Sequence, residues 1–162
     1  MFTMTIPEAA EMLLKRLNEA GFEAYIVGGA VRSSMLGETP HDFDICTNAV
    51  PEEMMQVFSG LHVIPTGIKH GTVTVMADGN PYEITTYRTE SGYQDHRHPD
   101  HVSYTSMLKE DLSRRDLTIN AMCWHPEEGL IDIFGGQSDL KQKLIRTVRD
   151  PYQRFDEDAL RI

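Results

Sequence analysis

The stretch Tyr25-Ile26-Val27-Gly28-Gly29-Ala30-Val31-Arg32-Ser33-Ser34-Met35-Leu36-Gly37-Glu38-Thr39-Pro40-His41-Asp42-Phe43-Asp44-Ile45-Cys46-Thr47 decides the fold of this chain. Tyr25-Ile26-Val27 is short and apolar, as a buried strand should be. It runs into Gly28-Gly29, which permits a tight turn and lets a ligand approach the main chain. Ala30 to Leu36 then reads as a short helix stopped by Gly37. A strand, a glycine turn and a helix start together aim several N–H groups at one spot, which suits a phosphate. Arg32, in the first turn of that helix, adds a forked cation.

The second half of the stretch supplies the opposite charge. Asp42-Phe43-Asp44-Ile45-Cys46 alternates polar and apolar and reads as a half-buried strand. Residues i and i+2 of a strand share a face, so Asp42 and Asp44 project together, about 7 Å apart at the backbone. Two carboxylates side by side repel unless a cation lies between them. Mg²⁺ suits that place, because it takes carboxylate oxygens and completes its shell with water and substrate phosphates. Either motif alone is a common surface feature. In order within one supersecondary unit, they form a constellation for nucleoside triphosphate chemistry.

Gly-Gly-Ala-Val-Arg (28–32), Leu-Gly (36–37) and Asp-Phe-Asp-Ile-Cys-Thr (42–47) resemble motif A of the class II tRNA nucleotidyltransferases. That family comprises the CCA-adding enzymes and bacterial poly(A) polymerases, within the polymerase-beta-type nucleotidyltransferase superfamily. One departure is visible: the family usually has Asp after the Arg, and this chain has Ser33. No catalytic role is assigned to Ser33.

A chain of 162 residues suits one domain with a real core. It is 40% hydrophobic and 25% charged, as soluble globular proteins are. No apolar run approaches membrane-spanning length and no signal-peptide pattern opens the chain, so the expected location is cytoplasmic. Cys46 and Cys123 match no paired or metal spacing and read as small core residues in a reducing compartment. The net charge of −10 argues against a general grip on nucleic acid, which needs a basic face. A catalytic unit whose RNA contacts lie elsewhere remains compatible with it.

Thr5 to Ala20 reads as a helix, with Thr5 and Glu8 spaced as a capping box and Ala10, Leu13, Leu14 and Leu17 as the buried stripe. Pro51 to Phe58 is a second short helix. Gly71–Ala77 and Tyr82–Arg88 alternate as two strands about Asp78-Gly79-Asn80, a hairpin signal. Glu83 lies on the second of these strands. Read alone it is either an exposed strand residue or a carboxylate beside the D-x-D strand. In the latter place it could help hold a metal or receive a proton. The superfamily carries a third acidic residue at this position.

Thr89 to Ser106 lacks sustained periodicity and reads as a loop with a short strand near Val102–Tyr104. His96-Arg97-His98-Pro99-Asp100-His101 matches none of the usual zinc spacings and has no thiolate nearby. The segment resembles the family's flexible loop, which helps switch from C addition to A addition, and Arg97 matches a basic position in it. A long loop beside a site is physically reasonable as a lid.

Arg114-Arg115-Asp116-Leu117-Thr118-Ile119-Asn120-Ala121 resembles the family's R-R-D-x-T-x-N-A motif. Asp116 can cap the short helix expected after it. By resemblance, Arg115 and Asp116 contact the sugar and phosphate side of the nucleotide. Met122–Trp124 and Leu130–Phe134 read as strands, Gln137–Leu144 as a helix and Ile145–Val148 as a last strand. Asp150-Pro151 is a good helix start. Asp158 and Arg161 are then neighbours at i, i+3, an ordinary helix pair if read alone. They resemble the family's E-D-x-x-R, whose Asp and Arg form a protein template for the base by matching donors and acceptors.

The expectation is an α/β fold: a nucleotidyltransferase head domain with a twisted mixed or antiparallel sheet of about five strands and helices mainly on one face. Residues 1–149 would be the catalytic head and 150–162 the start of a truncated helical neck, with the main tRNA-binding regions absent. The resemblance implies Mg²⁺-dependent nucleotidyl transfer from CTP and ATP to a tRNA 3′ end. Asp42 and Asp44 would hold two metal ions about 3.5–4 Å apart. Gly28, Gly29 and Arg32 would cradle the triphosphate. Rival readings are a poly(A) polymerase, a CC-only or A-only enzyme, or a catalytically silent nucleotide-binding module.

Overall fold

A computed structural model of the chain describes residues 2–91 and 101–148. Its centre is β1 (Ala24–Val27), four residues that are all buried. A strand buried on both sides needs a partner along each edge and packing on each face. β1 has both. It pairs antiparallel with β2 (Asp44–Thr47) and antiparallel with β8 (Cys123–His125). β2 pairs in parallel with β5 (Asn80–Thr86), which pairs antiparallel with β4 (Thr72–Ala77). β3 (His62–Ile64) and β9 (Gly129–Ile131) form the two edges, giving a mixed seven-stranded sheet in the order β3-β4-β5-β2-β1-β8-β9. A separate two-stranded ribbon, β6 (Arg88–Ser91) with β7 (His101–Tyr104), follows β5.

The fold class is the expected one, but the sheet is wider than five strands. β3 was not anticipated: three residues are too few to show alternation. Nor was the ribbon, whose expected loop held only the strand near 102–104. The hairpin between β4 and β5 turns on Asp78 and Gly79, both at positive φ (51° and 76°). That is the backbone of a two-residue turn matched to the twist of antiparallel strands.

Alternation along the strands feeds two cores. Ala24, Ile26 and Ile45 point to the larger one, with Leu13, Leu14 and Leu17 of α1 (Glu8–Glu19), Val31 of α2 (Gly29–Met35) and Met54 of α3 (Pro51–Val57). Tyr25, Val27, Cys46 and Cys123 point to the smaller one, covered by Leu112 of α4 (Leu108–Ser113) and by Tyr87. Each fully buried aliphatic side chain here contributes roughly 1.5–3 kcal/mol. Burial also pushes both thiols up, Cys123 to about 12, so neither is an available thiolate at neutral pH.

Three local expectations are corrected. α1 begins at Glu8 after Pro7, without a side-chain cap, so Thr5 lies outside the helix and makes no capping box. Asp116 does not cap the 3-10 turn Thr118–Asn120, whose N-cap is Leu117; its carboxylate accepts the Leu117 N–H instead (2.8 Å). Ile145–Val148 is not a strand. Lys143 at φ 56° turns the chain after α5 (Gly136–Lys141), and only Thr147 forms a bridge, to Leu117.

α5 packs closely on that 3-10 turn. A Cβ on Gly136 would lie 2.3 Å from the Thr118 carbonyl oxygen and 2.9 Å from Met122 Cγ. Asp139, fully buried, accepts the Thr118 hydroxyl (2.6 Å) and pairs with Arg146. Gly136→Ala should therefore lower stability by roughly 1–3 kcal/mol, as overpacking against a fixed carbonyl does. Urea unfolding checks this; an unchanged midpoint would mean that the contact yields at no cost.

Candidate active site

The candidate residues gather where β1 ends and β2 begins, beside the middle of β5. β1 leaves Val27 for Gly28, whose φ of 79° and ψ of −132° only glycine adopts readily. The Gly28 N–H still donates to Met122 O (3.1 Å), and its carbonyl accepts from Val31 and Arg32. The first N–H groups of α2 have no partner within the helix and face outwards from its start.

Two guanidinium groups converge on this turn. Arg32 curls back so that one terminal nitrogen lies 3.4 Å from where a Gly29 Cβ would stand. Its other terminal nitrogen donates to Asn120 Oδ1 (2.6 Å). Arg115 Nη1 lies 3.6 Å from the corresponding point on Gly28. Arg115 comes from the end of α4, and its Nη2 reaches buried Asp111 at 3.5 Å. The turn is thus backed by two cations from different parts of the chain.

The carboxylates lie beside it. Asp44 is the first residue of β2 and pairs across the ladder with Val27, the last residue of β1. Ile45 pairs with Ile84 in β5, so the preceding step sets Asp44 beside Glu83. Asp42, Asp44 and Glu83 line one cleft of about 260 Å³, with Phe43, Thr74 and Pro81. The expected strand over 42–46 begins two residues late, at Asp44. Beyond Val27 the turn carries β1 away, leaving Asp42 and Phe43 no antiparallel neighbour there. Phe43 is nevertheless buried and Asp42 exposed, so alternation holds through the pair.

The Asp44 carboxyl is raised from its ordinary value. The leading cause is lost hydration, because the surrounding chain crowds the group although the residue as a whole is exposed. Glu83 raises it next, Arg115 lowers it, and Asp42 raises it. The cleft therefore holds like charges at a cost that Arg115 only partly offsets. Among the described residues no three His, Cys, Asp or Glu side chains converge into a ready metal cage. The donors in the cleft are oxygens without nitrogen or sulfur, which suits a hard cation that keeps its own water.

Asp116 is half-buried and turned onto its own backbone at Leu117, apart from the contacts that join the arginines to the turn. Arg97, Asp158 and Arg161 lie outside the described residues. Sequence reasoning missed Asp111 and Asn120 as supports of the two arginines. Asn120 stood in the quoted R-R-D-x-T-x-N-A stretch and Asp111 three residues before it, but their partners are set by tertiary contacts.

A family model described as the poly A polymerase head domain matches residues 24–146, and the chain belongs to that family. The relatives it resembles carry a narrower name. It is 54% identical over 162 residues to the CCA-adding enzyme of Lactobacillus gasseri, covering 100% of this chain and 39% of that protein. To the CCA-adding enzyme of Pediococcus pentosaceus it is 52% identical over 155 residues, covering 96% and 39%. Its fold matches the crystal structure of the Bacillus stearothermophilus CCA-adding enzyme in complex with CTP. The TM-score is 0.86 at 41% identity, covering 98% of this chain and 38% of that one. A tRNA nucleotidyltransferase complexed with a primer tRNA and an incoming ATP analog matches with TM-score 0.70 and 35% identity, over 93% and 42%. The chain thus spans about two fifths of the length of these relatives.

Two measurements test the geometry. Gly28→Ala should cost about 1–3 kcal/mol in urea unfolding, since its backbone region is closed to side chains. Asp44→Asn should do the opposite. A raised carboxyl means that the folded chain holds a proton more tightly than the unfolded chain does. Stability therefore falls as pH rises above the ordinary aspartate value. In metal-free buffer the Asn variant should unfold at higher urea than the wild type at pH 7. The gap should close as pH falls towards 3.8. A variant less stable at pH 7 would contradict the repulsion.

Proposed function

We propose that this chain is the catalytic head of a CCA-adding enzyme, transferring nucleotides from CTP and ATP to the 3′ end of tRNA. The observation that carries the reading is the junction of the carboxylate cleft with the arginine-backed glycine turn, joined through the Val27–Asp44 pair. One half suits a divalent cation and the other a polyphosphate. The names of the relatives, and the CTP and tRNA in the matching structures, support the substrates.

In this reading Gly28 and Gly29 let the triphosphate approach the backbone, and Arg32 and Arg115 neutralise it. Asp116 orients the sugar side, and Asp158 with Arg161 reads the base edge. Asp42 and Asp44 would hold Mg²⁺, which when bound lowers the charge of the phosphates and the proton affinity of a hydroxyl beside it. Glu83 shares that task or receives the proton of the terminal 3′-hydroxyl. The oxygen of that hydroxyl bonds to the α-phosphorus and pyrophosphate leaves. The resemblance assigns residues 1–149 to the head and 150–162, with Asp158 and Arg161, to the start of the neck, and gives Arg97 a part in the change from C to A; these three residues lie outside the described ones. The proposed location is the cytoplasm; among the described residues no helix is long and apolar enough to cross a membrane.

The test is transfer from each triphosphate separately to tRNA ending before the C-C-A, after one C, or after two. It uses the full-length enzyme that carries this head. Ordered addition of C, C and A is expected; A added repeatedly to any end would favour the poly(A) reading. Asp42→Ala or Asp44→Ala should reduce the rate at least about 100-fold, because a lost ligand of a catalytic metal costs several kcal/mol. Activity within about tenfold of wild type would contradict these roles.

A further inference from the structure

Asp111 is the one fully buried carboxylate close to the site among the described residues, and it touches neither the cleft nor the turn. It lies in the last turn of α4 and is 0% exposed. Its Oδ1 accepts the Arg88 backbone N–H (3.0 Å) and Arg114 Nε (3.2 Å), and its Oδ2 faces Arg115 Nη2 (3.5 Å). A carboxylate removed from water is tolerated only when hydrogen-bonded to opposite charge. Here one carboxylate meets two guanidiniums, on side chains only 12% and 18% exposed.

The consequence falls on Arg115. One terminal nitrogen is held by Asp111, while the other lies against Gly28. Its Nε is buried and has no hydrogen-bond partner among the described residues. Pinned through one terminal nitrogen and lying against the turn with the other, the guanidinium has donors to spare for an acceptor that the described residues do not supply. Its charge also reaches Asp44, which it lowers against the push of Glu83.

We propose that Asp111 is a positioning residue. It holds the Arg115 guanidinium across the floor of the Gly28 turn, so that Nη1 is presented to an anionic oxygen of the nucleotide. The same carboxylate fixes the start of β6 through the Arg88 N–H, so the base of the β6–β7 ribbon and the phosphate-facing arginine share one anchor. The inference rests on the nucleotide-binding reading above for its ligand, but not for the tether itself.

The experiment uses the 162-residue chain in two arms. The first needs no nucleotide. Nitrogen-15 spectra of the arginine side chains, with Arg115 identified by its loss in Arg115→Lys, report rotation about its Nε–Cζ bond. Hindered rotation, with separate Nη signals, is expected in the wild type, and free averaging in Asp111→Asn. Averaged signals in the wild type, or hindered ones in the variant, would overturn the tether. The wild-type result decides this even if the variant does not fold. The second arm is calorimetric titration with CTP and Mg²⁺ of wild type, Asp111→Asn, Arg115→Ala and the double variant. Asp111→Asn should weaken binding about tenfold. The double variant should be no weaker than Arg115→Ala alone, because one residue acts through the other. Effects that multiply would show Asp111 acting independently and overturn the proposal. Should the wild type itself bind no CTP, the functional reading fails while the first arm still decides Asp111.

Discussion

Everything at the site depends on the register of β1. Its last residue, Val27, is paired on one side with Asp44 and on the other with Cys123. A slip of one residue would turn Tyr25 and Val27 into the larger core and send Ile26 to the smaller, reversing every side chain of the strand. Two packed faces and two hydrogen-bonded edges hold β1 against that slip. With Val27 fixed, Gly28 has one place to turn, Arg32 one place to curl back, and Asp44 one position from which to face the cleft. The local chemistry is inherited from a global alignment.

The charge arrangement follows from that alignment and is deliberately unequal. Asp42, Asp44 and Glu83 are brought together although they repel, while Arg32 and Arg115 are tied to Asn120 and Asp111 at the glycine turn. Had the arginines been free to swing, they could have closed ion pairs across the cleft and neutralised it. Anchoring them keeps the two signs apart, so each half retains an appetite for a ligand of opposite charge. That separation costs stability in the empty protein, which is common where function demands a local arrangement that folding alone would not choose.

The strand, glycine turn, helix and D-x-D could be read from the sequence because each is a local pattern of a few residues with its own period or punctuation. The β4–β5 hairpin was legible for the same reason, Asp78-Gly79 being a turn that few other residues allow. One edge of the sheet was not. β3 is too short to alternate, and α4 spans only Leu108–Ser113, fewer than two turns, so no stripe emerges. Thr5 looked like a cap, but Pro7 fixed the helix start after it. Ile145–Val148 has strand-like composition, yet Lys143 turns the chain so that only Thr147 meets a neighbour. Asp111 and Asn120 show the deeper limit. Nothing in the spacing of either residue says which arginine it will hold, since that partner is fixed by packing of α4 and the 3-10 turn on distant strands.

The strand order also has a temporal meaning. The turn at Gly28 is completed by Met122, about ninety residues further along, and the cleft by Glu83 across the parallel β2–β5 pairing. On a chain emerging from the ribosome, the glycine turn and the D-x-D appear early and must wait. α1, β1 and β2 can associate, but one edge of β1 stays open until β8 is made. An exposed apolar strand edge of this kind invites pairing with the wrong neighbour. The site that is compact in sequence at its start is therefore among the last parts of the domain to close.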